Sequence, residues 1–395
     1  MIIESMTTKR LFDNTETAFK LKTDAQLERS YFLFKMIANE PLVKIGTAVT
    51  KFALNVHLPV EGLIRSTVFD HFCGGVNEKD CMPVVDNLME ARVYSVLDYS
   101  VEGKEEAAQF DATMEKVVEL TQFAEKKPAM PFSVFKPTGL GKFKIWQKVT
   151  EHQDLSNLEA QEWKHIQERY ETICREAYER NIQLLIDAEE TWMQDAADAL
   201  CEQMMERYNS QKAVVFNTLQ CYRWDRLEYL KAIHERSKRK GYKLGFKVVR
   251  GAYMEKEHDR ADEKDYTTPI CANKAATDVN FDSVVAYILE HLDDISLFLG
   301  SHNEESTYKA LALMEQLGIE KNDPRVWFGQ LYGMSDHITY NLAEAGYNVA
   351  KYIPFGPVKD VMPYLIRRAE ENTSVAGQTS RELELLKKER HRRGL

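Results

Sequence analysis

The chain has 395 residues, of which 44% are hydrophobic and 29% charged, and its formal net charge is −10. That apolar content supplies a core for one large barrel or two to three ordinary domains, and the acidic balance argues against nucleic acid as a partner. No apolar run reaches transmembrane length, and the amino terminus lacks both a signal peptide's apolar segment and an organelle presequence's Arg-rich character, so a cytoplasmic location is expected.

In chain order, residues 1–90 read as a helical, irregular arm with a turn at Cys73-Gly74-Gly75. A different pattern then begins, in which short β-branched or aromatic runs are each followed by a helical stretch. The runs are 92–98, 132–136, 183–187, 213–218, 244–250, 296–302, 326–330 and 348–353. Near-continuous apolar runs are what parallel strands covered on both faces require. Eight β-α units with no second strand cluster predict an α/β fold, a (β/α)8 barrel of the TIM type over 91–372; a doubly wound sheet is the competing arrangement. Leu155 to Arg180 reads as an elongated second connection, with Trp163, Ile166, Tyr170, Ile173, Cys174 and Ala177 on one helical face. After the strand ending at Ile353, a Gly/Pro turn leads to a helix capped by Asp360 and carrying Arg367-Arg368. Residues 373–395 form a charged tail whose basic end reads as a solvated helix end; contact with an anionic membrane surface is the sharper alternative.

The chemistry collects at the carboxyl ends of the strands, where a barrel of this kind builds its active site. Those positions hold Asp98, Lys136, Asp187, Gln220, Arg250, His302, Gln330 and Tyr352. A single Asp there is readily explained as a cap, but Lys, Arg and Gln have no such preference. Lys136 suits anion binding, a Schiff base or pairing with a carboxylate, and the residue alone leaves these open. Asp187 closes an apolar strand and is expected to meet that lysine or a ligand, whereas the helix dipole accounts for Glu189 and Glu190. Lys247 lies inside an apolar run and must face a polar interior or find a partner. Adjacent guanidinium groups at Arg367 and Arg368 are suited to a small carboxylate. The six cysteines form no CxxC pair and the ten histidines no HExxH, so reduced thiols and no metal site are expected. Neither a P-loop nor a GxGxxG fingerprint is present.

Seven motifs in order carry a family resemblance: Phe135-Lys136, Ile186-Asp187-Ala188-Glu189-Glu190, Asn217-Thr218-Leu219-Gln220-Cys221-Tyr222, Lys247-Val248-Val249-Arg250-Gly251-Ala252-Tyr253, Ser301-His302-Asn303, Phe328-Gly329-Gln330-Leu331-Tyr332-Gly333-Met334, and Tyr364-Leu365-Ile366-Arg367-Arg368-Ala369-Glu370-Glu371-Asn372. Together they resemble proline dehydrogenase, in the monofunctional form closer to mitochondrial enzymes. The resemblance implies a distorted barrel that holds FAD non-covalently, with the last barrel helix over the active site. It implies oxidation of L-proline to Δ1-pyrroline-5-carboxylate by hydride transfer from C5 to flavin N5, the first step of proline catabolism to glutamate. It assigns Asp187 and Lys247 to catalysis, Lys247 standing near flavin N5 where some members carry arginine. It gives Lys136, Tyr352, Tyr364, Arg367 and Arg368 to the substrate, and Ala188, Gln220, Arg250, Gly251, Ala252, Tyr253, Ser301 and His302 to the flavin. Glu102 and Glu371 match acidic positions that orient the arginines. The partners implied are membrane quinone as electron acceptor, reached by peripheral membrane contact, and a separate Δ1-pyrroline-5-carboxylate dehydrogenase. A hydroxyproline dehydrogenase on the same fold is the nearest rival, disfavoured by the bulk of Tyr352. A Schiff-base aldolase using Lys136, with no flavin, is the rival from another class. A regulator of proline metabolism would need a DNA-binding element, and no helix-turn-helix signal or basic face is present.

Overall fold

The structure, a computed structural model, describes residues 8–39, 41, 62, 65–100, 107–374 and 378–395. Glu102 and the side chain of Glu371 therefore lie outside the described residues. Eight strands are present: β1 Tyr94–Tyr99, β2 Phe132–Phe135, β3 Gln183–Ile186, β4 Val215–Gln220, β5 Leu244–Val249, β6 Ile295–Gly300, β7 Val326–Leu331 and β8 Val349–Phe355. They are hydrogen-bonded in sequence order as a closed barrel. Each expected apolar run thus yields a strand, and the doubly wound alternative is set aside.

Before β1 come α1 Thr15–Ala18, α2 Asp24–Ile37 and α3 Met82–Glu90. Between the strands lie α4 Ala107–Glu125, α5 Phe143–Thr150, α6 Asn157–Glu179, α7 Thr191–Tyr208, α8 Arg226–Lys240, α9 Met254–Lys264, α10 Lys274–Glu290, α11 Glu304–Gln316 and α12 Asp336–Glu344. After β8 follow α13 Met362–Ser374 and α14 Gln378–Arg393. The helix read from Leu155 to Arg180 is α6, started by a capping box in which Ser156 and Glu159 satisfy each other's backbone N–H groups. Its face of Ile166, Tyr170, Ile173, Cys174 and Ala177 is fully buried.

Two compact units are distinguished: Met1–Glu102 with His302–Glu304 and Gly329–Leu395, and Gly103–Ser301 with Glu305–Phe328. In the second, aromatic rings fix which way the strands face. Phe132 of β2 meets Phe216 of β4 at 6.2 Å and Phe298 of β6 at 5.1 Å, each edge to face. Side chains of non-neighbouring strands can touch only inside the barrel, so these rings form an interior layer from alternate strands. Side chains alternate faces along a strand. The residues two and four beyond Phe132 and Phe216 therefore face inward too, bringing Lys136, Thr218 and Gln220 to the interior. Register extends the argument: Phe132 pairs with Gln183, which sets Asp187 inward, and Thr218 pairs with Lys247.

In the first unit β1 runs parallel to β8, with Val96 opposite Tyr352. The N–H groups of Asp360 and Val361 both bond to Pro357 O, at 2.8 and 3.2 Å, closing a turn ahead of α13, which begins at Met362. Helix α13 packs Val361, Met362, Tyr364 and Leu365 against Ile37, Phe69, Phe72 and Met334. The basic end of the chain is only in part the solvated helix end expected from its charge: Lys387, Lys388, His391 and Arg392 are exposed, but Arg390 and Arg393 are half-buried and paired. Leu385 and Leu386 are buried with Phe19, Leu27 and Phe34, which docks α14 on the arm. Arg390 pairs with Glu28 at 2.6 Å, and Arg393 with the fully buried Glu389 at 2.7 Å and with Asp24 at 3.0 Å. The arm's acids neutralise charges that the tail, read alone, presents to solvent.

Candidate active site

Three charged side chains meet where β2, β3 and β5 end. Asp187 accepts a hydrogen bond from Lys247 Nζ, and its other oxygen lies 3.9 Å from Lys136 Nζ. Lys247 is only 7% exposed, so a carboxylate partner offsets part of the cost of burying its ammonium inside the barrel. Two ammonium groups thus flank one carboxylate, an arrangement suited to meeting an anion or an electron-rich ring. The expectation that Asp187 meets Lys136 is met, and Lys247 has found its partner in the same carboxylate.

Beside the trio stands a carboxylate that the sequence reading gave to the helix dipole alone. Glu189 is buried and accepts from Thr138 N–H at 3.0 Å and Thr138 Oγ1 at 2.7 Å, so it clamps the turn that follows Lys136. Burial pushes its acid up to about 7, against the opposing pull of the two Thr138 bonds. The helix dipole does not account for it. Three carboxylates at one strand end were the available signal, but nothing local pointed to Thr138, 51 residues away.

Gln220 ends β4 with its amide nitrogen 3.5 Å from both Ala188 O and Tyr222 Oη, while its amide oxygen Oε1 is buried with no partner among the described residues. Arg250, following β5, is held on all sides. Its Nε donates to Asp278 at 2.8 Å, Nη1 to Ser301 Oγ at 2.9 Å and Nη2 to Ser306 Oγ at 2.9 Å, with the guanidinium over the Phe281 ring at 4.4 Å. The next residue, Gly251, has φ of +129°, and a Cβ there would stand 2.5 Å from the Tyr222 ring. Only glycine turns the chain at this point. Ala252 is exposed and Tyr253 half-buried in the same loop, just ahead of α9.

In the other unit, Arg368 of α13 is 8% exposed and its guanidinium lies 5.2 Å from the Tyr364 ring centre. The adjacent Arg367 is half-buried. Tyr352 is buried, but it is not a strand terminus, because β8 continues to Phe355. His302 bonds through Nδ1 to Ser335 Oγ at 3.0 Å. Among the expected residues, then, Lys136, Asp187 and Lys247 are joined directly, as are Arg250 with Ser301 and Arg368 with Tyr364. Ser335 and Glu189 are the members that sequence reasoning missed.

A family model described as proline dehydrogenase matches residues 81–381. The carbapenem antibiotics biosynthesis protein CarD of Pectobacterium carotovorum subsp. carotovorum is 35% identical over 84% of this chain and 86% of its own length. Mitochondrial proline dehydrogenase 1 of Homo sapiens is 41% identical over 55% of this chain, a match spanning 37% of that protein. Among solved structures, proline utilization A from Bdellovibrio bacteriovorus, inactivated by N-propargylglycine, superimposes with a TM-score of 0.72 over 94% of this chain and 40% of its own, at 20% identity.

Proposed function

The chain belongs to the proline dehydrogenase family, and on that premise we propose that it oxidises L-proline to Δ1-pyrroline-5-carboxylate with FAD as the immediate electron acceptor. The observation that carries this reading is the Lys136–Asp187–Lys247 trio at the carboxyl ends of the barrel strands.

The residues present fit the flavin. Gln220 Oε1 is a buried acceptor still lacking a donor, and the flavin ring offers an N–H on an edge that also carries carbonyl oxygens. Lys247 and the immobilised Arg250 supply the cations that an electron-rich ring system needs. Ala188, Gln220, Arg250, Gly251, Ala252, Tyr253, Ser301 and His302 are the residues assigned to hold it. When bound, FAD takes up the hydride that leaves substrate C5.

The side chains of this protein supply position and charge. The family resemblance gives Arg367, Arg368 and Lys136 to the substrate carboxylate, and a guanidinium fork is suited to holding a carboxylate through two hydrogen bonds. Tyr364, stacked beneath Arg368, and Tyr352 bound the pyrrolidine ring. Asp187 fixes the Lys247 ammonium in place, so it is oriented before electrons arrive, with no reorganisation needed. Proline must react with its ring nitrogen neutral, because the new imine is built from the nitrogen lone pair. Onward transfer to membrane quinone, a peripheral site at the cytoplasmic membrane, and a separate pyrroline-carboxylate dehydrogenase complete the reading; these three rest on the resemblance.

The test is the visible absorption spectrum of purified, FAD-reconstituted protein under anaerobic conditions. L-Proline is expected to bleach the flavin bands, and trans-4-hydroxy-L-proline to do so far less. Equal bleaching by both would make this a hydroxyproline-tolerant enzyme. Protein that stays colourless after reconstitution would end the flavin reading and restore the lysine aldolase. Arg368→Ala is expected to bind flavin normally while losing proline affinity.

A further inference from the structure

The loop between β7 and α12 contains a residue in an unfavourable conformation. Ser335 has φ of 52° and ψ of 42°, the left-handed region, and is fully buried. Only glycine visits this region freely, and a strained non-glycine residue persists where its surroundings over-determine it. Four surroundings do so here. Ser335 N–H donates to Glu382 of α14 at 3.2 Å. The neighbouring Asp336 is gripped by Lys351 of β8 at 2.9 Å and by Lys22 of the arm at 3.1 Å. Lys351, itself without exposure, also donates to Met334 O at 2.5 Å and Leu331 O at 3.3 Å, so the loop is wrapped about one ammonium group. Gly333 O bonds to His71 Nε2 at 3.0 Å.

All of this holds Ser335 Oγ at 3.0 Å from His302 Nδ1. We propose that Ser335 is a positioning residue for His302, and that Glu382, on the last helix of the chain, holds Ser335 in place. FAD affinity then depends on a side chain some 80 residues away from His302 in sequence. A hydroxyl donating to Nδ1 leaves the ring proton on Nε2, which fixes both the plane of the imidazole and its role as a donor. A donor suits an oxygen acceptor of the cofactor, whether a ring carbonyl or a phosphate oxygen. The assignment rests on the proposed flavin site, because His302 is placed there by its motif. Neither Ser335 nor Glu382 carries a motif of its own.

The experiment is a titration of apo-protein with FAD, followed by flavin fluorescence, for the full-length wild type, Ser335→Ala, Ser335→Gly, Glu382→Gln and Glu382→Ala. Losing one hydrogen bond of this kind is expected to weaken FAD by about tenfold, roughly 1.4 kcal/mol, in both Ser335 variants. Ser335→Gly relieves the backbone strain, so it is expected to be at least as heat-stable as the wild type while binding FAD no better than Ser335→Ala. Such a split separates a lost positioning bond from a damaged fold. Glu382→Gln keeps an oxygen acceptor for Ser335 N–H and is expected to bind within about twofold of wild type, whereas Glu382→Ala weakens FAD several-fold. In a His302→Ala background, Ser335→Ala is expected to add nothing. Wild-type affinity in Ser335→Gly, or an undiminished effect of Ser335→Ala without His302, overturns the proposal. If the wild type itself takes up no FAD, what fails is the proposed function, and the two failures are thereby distinct.

Discussion

Neutralising Asp187 tests the trio most directly. Asp187→Asn preserves shape but removes the carboxylate that both ammonium groups contact. Lys247 is 7% exposed and loses the partner to which it donates, while Lys136 loses one 3.9 Å away. Stripping one member from a buried pair costs about 3–5 kcal/mol, because an uncompensated charge is left behind. The lower end applies, since the side chains of Asp187 and Lys136 keep 14% and 19% of their exposure and water screens part of the charge. For a chain of 395 residues the urea slope exceeds the ~3 kcal/mol/M of small proteins, so a loss of about 3 kcal/mol lowers the midpoint by somewhat less than about 1 M. The assay is urea unfolding followed by circular dichroism with FAD held in excess, so that linkage to the cofactor is equal across variants. Asp187→Asn/Lys247→Met removes both charges and is expected to recover at least half of the lost stability while proline turnover stays lost. A loss under about 1 kcal/mol in Asp187→Asn, or a double variant as unstable as the sum of its parts, refutes the claim that the two charges depend on each other.

Glu189 gives a pH signature. Its folded-state acid is raised to about 7, so the native protein holds a proton that the unfolded chain releases near 4.5. The stability this contributes is full below pH 4.5 and is lost as pH rises towards 7, with a total of about 3 kcal/mol as an upper figure. Glu189→Gln is expected to flatten that decline in urea midpoints measured from pH 5 to 8. Glu304 behaves oppositely: burial raises its acid, but bonds from His337 and Arg381 outweigh that and bring it down to about 2. Its contribution is present above pH 4.5 and is lost as pH falls towards 2, so Glu304→Gln is expected to be less stable at pH 6 and to close the gap on acidification. Gly251→Ala, at φ of +129° with Tyr222 in the way, is expected to destabilise by about 1–3 kcal/mol and to weaken FAD binding. Unchanged melting and FAD titration curves would rule out the strained turn.

The barrel was legible because its signal is local. Eight apolar runs at repeating spacing can hardly be anything but strands covered on both faces, and each appeared within a few residues of its expected place. The interior direction of Lys136, Gln220 and Lys247 was legible in principle, since alternation from Phe132 and Phe216 carries it, but only once ring contacts show which face is inward. What stayed hidden was pairing over distance. Nothing near Glu189 names Thr138, nothing near Arg390 names Glu28, and Lys351 reads as one more residue of an apolar strand until Asp336 and two carbonyl oxygens are found around it.

Burying lysines on barrel strands is costly, and the two buried among the described residues are treated differently. Lys247 and Lys351 sit on β5 and β8, at 7% and 0% exposure. Lys351 is surrounded by a carboxylate and two carbonyl oxygens, and burial still lowers its pKa. Its directed donors are spent on the protein, which makes it a clamp for the loop carrying Ser335. Lys247 shares its carboxylate with Lys136, so two cations meet at one anion at the strand ends. Replacing either lysine with methionine should separate the two roles. Lys351→Met leaves Asp336 with Lys22 alone and loosens a loop, whereas Lys247→Met leaves Asp187 paired with Lys136 and removes charge from the proposed flavin site. The first change therefore acts mainly on stability, and the second on the chemistry.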